Sequence, residues 1–241
     1  MAYANQHTML NFGNENELIF FNIYIEKNAY ICAITIKSIR IMVIHENGLS
    51  YSVINEHDVK VLGFYPRREE KTRIVIPPHM EGYRVAVIGK KAFYECTKLR
   101  HLVLPAYLHT IEDEAFGLCE KLEDIVLPES VRHIGKGAFE GTLALRKVVL
   151  PSTLAALPEA LFYDSAVSEV TLPEGIGEIP AACFYDCRNL RRIVLPAGVA
   201  HVAHDAFHYC VDLAEVVAPE AIDHIDMFDG EKEWQIKPLK R

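Results

Sequence analysis

Phe recurs at positions 93, 116, 139, 162, 184 and 207, spaced by 23, 23, 23, 22 and 23 residues, and nothing else in this chain restricts its fold as tightly. A fixed period of that length means one supersecondary unit stacked on copies of itself, none of which can bury its apolar face alone. The Pro that closes each unit keeps the same step, at 105, 128, 151, 173, 196 and 219. Three residues after each Phe the chain places Cys96, Cys119, Thr142, Ser165, Cys187 and Cys210, and the next apolar anchor is Leu99, Leu122, Leu145, Val167, Leu190 or Leu213. A slot restricted to small, mildly polar side chains reads as a crowded core turn, with its cysteines as reduced core thiols rather than reactive groups.

Each unit runs from a short strand such as HLVLP (101–105), through a second apolar step such as TIED (110–113), to a single helical turn carrying the Ala-Phe pair. The fourth unit departs from this with ALPEALF and one residue deleted before Val170, which predicts a local kink. Within a strand the pattern L-x-x-L-x-L sends alternate side chains inward and outward. The first outward position holds His101, Asp124, Lys147, Glu169, Arg192 and Glu215, and the second holds Val103, Val126, Val149, Thr171, Val194 and Val217. Charges alternating in sign from coil to coil, about 4.8 Å apart, predict that each sits between opposites. The valines predict an apolar strip with ionic edges, a composition suited to contacting protein.

The flanks divide the chain further. Residues 1–41 form a divergent extension holding six of the nine Asn within its first 28 positions; they read as a poorly ordered piece, with a small sheet from AYICAITI and IRIMVI as the competing view and Met42 as a candidate natural start. Residues 42–72 read as an entry cap, a β-hairpin turning at Asn47-Gly48 followed by VKVLGFY as a third strand. The solenoid of about six units covers 73–219, and 220–241 reads as a partial repeat and charged exit cap with Trp234.

A formal charge of -8 excludes nucleic acid as the expected partner, because phosphate binding needs a concentrated basic surface. The first basic residue, Lys27, follows Glu15 and Glu17, so a basic leader is missing and a cytoplasmic location is expected; LIFFNIYI is too short to span a membrane. In HVAHDAFH, His204 and His208 lie four apart and with His201 form the most metal-like group, but they fall on ordinary variable positions of the repeat. GKGAFEG (135–141) lacks the rest of a phosphate loop. No constellation of polar groups suggests catalysis, and no cofactor or metal is expected.

The form L-x-x-I-x-L-P followed by I-G-x-x-A-F-x-x-C resembles the BspA-like, treponemal-type leucine-rich repeat family, carried by LSYSVINEHDVKVLGFY, IVIPPHMEGYRVAVIGKKAFYECTKLRHLVLP and DIVLPESVRHIGKGAF. The resemblance implies an α/β repeat solenoid, a right-handed coil with a concave parallel β-sheet, short helical turns on the other side and a β-hairpin cap. It further implies protein–protein interaction through the concave face. Several such proteins are secreted or surface-attached, which makes the cell surface the alternative location, and a self-assembling scaffold or homo-oligomer is the rival to partner binding.

Overall fold

The computed structural model describes residues 20–26, 29–36, 39–46, 48–64, 71–220, 222 and 235–238. The expected cap residue Trp234 and most of 220–241 lie outside these.

Five strands lead in: β1 (Phe20–Glu26), β2 (Ala29–Ile36), β3 (Ile39–Glu46), β4 (Leu49–Val53) and β5 (Asp58–Phe64). Each pairs antiparallel with the next. The β3–β4 connection carries Gly48 at φ 78°, the left-handed geometry a two-residue hairpin demands. Strand β3 runs across the boundary between residues 41 and 42.

The repeats then contribute β6 (Arg73–Val75), β7 (His79–Met80), β8 (Tyr83–Ile88), β9 (His101–Val103), β10 (Thr110–Ile111), β11 (Asp124–Ile125), β12 (His133–Ile134), β13 (Lys147–Val149), β14 (Glu169–Thr171), β15 (Glu178–Ile179), β16 (Arg192–Val194), β17 (His201–Val202) and β18 (Glu215–Ala218), with β19 (Gln235–Pro238) after them. Most coils thus have two strand sides; the coil that begins with β13 has no second strand, since none lies between Val149 and Glu169. One stacks β6–β9–β11, then β13–β14, then β16–β18–β19, all parallel with equivalent residues in register, such as Lys147 opposite Glu169. The second apolar step forms the other side, β8–β10–β12 and β15–β17, also parallel. The entry strands join that second side through a parallel β5–β8 pairing.

The third side carries the Phe ladder. Phe93, Phe116, Phe139, Phe162, Phe184 and Phe207 are fully buried. Neighbouring rings stack at 5.2–5.8 Å with interplanar angles of 2–22°. Burying each Phe contributes about 1.5–3 kcal/mol. Phe64 of the entry strands closes the ladder edge-on, 5.5 Å from Phe93 at 82°. Gly63 permits that docking: its φ is 124°, and a Cβ there would lie 2.3 Å from the Ala92 carbonyl oxygen.

The expected single helical turn around Ala-Phe is not a helix; the described residues contain none. The residues two before and two after each of the first five Phe are left-handed, for example Lys91 (φ 55°) and Glu95 (φ 59°), Glu114 (φ 52°) and Leu118 (φ 55°), Ala160 (φ 53°) and Asp164 (φ 50°); at Phe207 only Tyr209, two after it, is (φ 57°). Backbone hydrogen bonding explains this geometry. The N–H groups of Lys91, Phe93 and Glu95 donate to the carbonyls of Asp113, Ala115 and Gly117 in the next coil at 3.1, 2.9 and 2.9 Å. Those of Glu114, Phe116 and Leu118 repeat the pattern onto Lys136, Ala138 and Glu140. A helix would turn the same donors along its own axis and leave the neighbouring coil unpaired.

The Cys slot follows from this packing. Cys119, Cys187 and Cys210 each donate Sγ–H to the carbonyl of the Phe one coil back, at 3.0, 3.0 and 2.9 Å. Thr142 instead donates Oγ1–H to Phe139 of its own coil at 2.8 Å. A small donor is what the slot requires. Cys96, Cys119, Cys183, Cys187 and Cys210 are free thiols, and burial raises the thiol pKa of Cys183.

Candidate functional site

Outward residues of the first strand side form two parallel rows. In the apolar row Val103, Val126 and Val149 are 43%, 81% and 52% exposed, and Thr171 is exposed too. Val194 is half-buried, and Val217 is buried beside β19, so the strip closes at that end. At the other end it extends one coil further than the sequence reading placed it. Val75, 58% exposed, pairs in register with Val103. The signal was present in RIVIPP, whose I-V-I-P matches the L-V-L-P of the next unit.

The ionic row pairs off rather than alternating continuously. His101 Nδ1 lies 3.1 Å from Asp124, Lys147 Nζ 2.9 Å from Glu169, and Arg192 Nε 3.0 Å from Glu215. Among the described residues no ion pair joins Asp124 to Lys147 or Glu169 to Arg192. These gaps coincide with the breaks between β11 and β13 and between β14 and β16. Among the described acids of this row only Glu215 sits between two cations, with Lys237 Nζ also at 2.9 Å, and hydrogen bonds from Lys237 and Arg192 hold its pKa below the usual carboxylate value. Arg100 pairs with Glu123 beside this row. Such exposed pairs contribute about 0–1 kcal/mol each, so the row adds little to holding the fold.

The groups weighed for other chemistry take ordinary places. His204 and His208 meet edge-on, with ring centroids 4.8 Å apart. Among the described residues no three His, Cys, Asp or Glu side chains converge as metal ligands. Gly137, at φ 60°, and Gly141, at φ 62°, occupy the two left-handed positions of their coil, which accounts for GKGAFEG. No helix of the described residues is long and apolar enough to cross a membrane.

Comparison with known proteins agrees with this architecture. Residues 86–214 match the model of a BspA type leucine rich repeat region, in six copies. A solved leucine rich cell surface protein from Faecalibacterium prausnitzii is similar with a TM-score of 0.61 at 22% identity, covering 73% of this chain and 54% of that one. A leucine rich repeat protein of T. pallidum is similar with a TM-score of 0.58 at 27% identity, over 69% of this chain and 88% of its own. One from Bacteroides ovatus gives a TM-score of 0.57 at 25% identity, over 72% and 55%. This chain therefore spans about half the length of the first and third of these proteins. No curated protein matches it.

Proposed function

Because the chain belongs to the BspA-type leucine-rich repeat family, we propose that it is a non-catalytic module that binds a protein partner through its first strand side. The carrying observation is the exposure of Val75, Val103, Val126 and Val149 on four successive coils. Apolar side chains in a row with charges beside them present a surface whose burial is favourable and whose ionic edge discriminates between partners. His101, Asp124, Lys147, Glu169 and Arg192 supply that edge, and Thr171 and Val194 extend the apolar row. Val217 and Glu215 contribute only at the margin. The similar Faecalibacterium prausnitzii protein is a cell surface protein, which favours display at a surface over the cytoplasm for this one.

The test replaces Val103, Val126 and Val149 with Ser, leaving the inward residues and ion pairs intact. Binding to surface proteins presented by the source cell or its neighbours should fall at least about tenfold, the loss of roughly 1.4 kcal/mol or more. Unchanged binding of every partner by a correctly folded variant would place the interface elsewhere. The rival reading, a scaffold of identical copies, predicts instead a concentration-dependent mass in solution.

A further inference from the structure

The shortened fourth unit leaves more than a kink. From Phe162 to the outward charge Glu169 is seven residues, against eight from Phe139 to Lys147 and from Phe184 to Arg192. The missing residue comes out of the loop that descends from the Phe ladder to the strand side. That loop is drawn back onto coil three: the Ala166 N–H donates to the Thr142 carbonyl at 3.1 Å, and Arg146 Nη1 donates to the Ala166 carbonyl at 3.1 Å. In the same coil Ser168 stands where the flanking coils carry Arg146 and Arg191. A short side chain between two long ones, over a recessed loop, opens a depression of about 420 Å³ lined by Arg146, Ser168, Glu169, Asn189 and Arg191.

Two arginines wall this hollow in a protein whose net charge is -8. Arg146 uses one Nη1–H on Ala166. Arg191 has a side chain 80% exposed and forms an ion pair with Asp212 at 3.9 Å, too long for a hydrogen bond, so its N–H donors remain open. The carboxylate of Glu169 is engaged by Lys147 at 2.9 Å, so the one acidic lining group is already offset. Guanidinium forks with open donors, beside a hydroxyl and a side-chain amide, recognise planar anions.

Resting on the reading of the strand side as a partner-binding face, we propose that this depression receives a carboxylate side chain of an acidic segment of the bound protein. It opens beside Glu169, two residues from Thr171 on the outward row, so a segment lying along the valines brings a side chain to it. A solvent-open hollow holds a small free anion poorly, whereas a carboxylate tethered to a docked segment gains effective concentration.

The probe is an acetylated, amidated pentapeptide of alternating Val and Glu, with its Gln counterpart and inorganic phosphate as controls. Binding is followed by NMR at the Arg146 and Arg191 Nε–H groups and at the valine methyls. The Glu peptide should shift both arginine resonances and bind at least about tenfold more tightly than the Gln peptide, consistent with a charged hydrogen bond. R191Q should remove most of that difference. Ser168→Arg separates a shaped site from diffuse attraction, because it adds positive charge while filling the hollow. Weaker binding by Ser168→Arg supports the site, and equal or tighter binding overturns it. Phosphate shifting the arginines as strongly as the Glu peptide overturns the peptide assignment. A peptide that moves the valine methyls but not the arginines overturns this inference while leaving the strand-side reading intact, and the reverse pattern, a carboxylate held without the valines, overturns the strand-side reading and with it the docked segment proposed here.

Discussion

At the residue scale, the slot after each Phe shows how a polar requirement hides inside a core. Cys119 is fully buried, as are Thr142 and Cys187, and size alone does not explain why apolar residues are absent there. The Phe carbonyls do. Cys119 Sγ–H donates to Phe93, whose carbonyl also accepts the Cys96 N–H at 3.1 Å. A Ser at 119 keeps a donor and loses little volume, and Ser165 already fills the same slot with Oγ 3.5 Å from Cys187 Sγ. Cys119→Ser should therefore cost less than about 1 kcal/mol, close to the net worth of one hydrogen bond. Cys119→Val, though more apolar, removes the donor and adds a branch to a packed turn, and should cost about 1–3 kcal/mol. Urea denaturation of the two variants checks the order. Val more stable than Ser would show that burial, not the carbonyl, selects the slot.

At the element scale, the coil's third side is where sequence and structure part. The positions of Phe, of the strand leucines and of the closing Pro were legible because their period is the period of the coil itself. The backbone between them was not. Lys91, Glu95, Glu114 and Leu118 are good helix formers, and nothing in their side chains announces positive φ. They adopt it because the N–H groups at these positions pair with the next coil, a demand that arises only once coils are stacked. Coil three alone makes it visible, with Gly137 and Gly141 at both positions. Val217 was assigned to the exposed row for a related reason, since β19, which lies beside its strand, comes from outside the repeat. The hollow at coil four was legible as a deletion but not as a site, because Asn189 and Arg191 reach it from coil five. The left-handed positions also offer a way to stabilise the fold. Ala160 sits at φ 53°, where a Cβ costs about 1–2 kcal/mol. Glycine avoids that cost but loses more chain entropy on folding. The balance for Ala160→Gly should be a gain of about 0.5–1 kcal/mol, read as a higher midpoint in urea with an unchanged slope.

At the scale of the whole molecule, one buried cluster runs from Ile44 in the entry strands to Ile222 beyond the last coil. Entry strands and coils therefore share a core, and their junction decides whether they unfold together. Asp58 is the buried charge at that junction. It pairs in register with Arg84 across β5 and β8, accepts Arg84 Nε–H at 2.8 Å and Asn55 Nδ2–H at 3.0 Å, and is itself 8% exposed. Burial alone raises its pKa, but the hydrogen bonds from Arg84 and Asn55 and the charges of Arg84 and His109 outweigh burial and hold it below the ordinary Asp value. A carboxyl depressed in the folded state contributes stability that is fully present above its unfolded value, near pH 4, and is lost as pH falls through the folded value. Asp58→Asn should cost about 1–2 kcal/mol at pH 7, a modest figure because Arg84 is half exposed. The variant should then lose less stability than wild type between pH 5 and pH 2, a window of roughly the two pKa values and their flanks. Urea midpoints measured by circular dichroism across that range test both statements. Parallel pH profiles for the two proteins would mean that Asp58 does not titrate differently on folding, and that the junction is held by other contacts such as Phe64 on Phe93, the Lys60–Glu112 ion pair and the β5–β8 pairing.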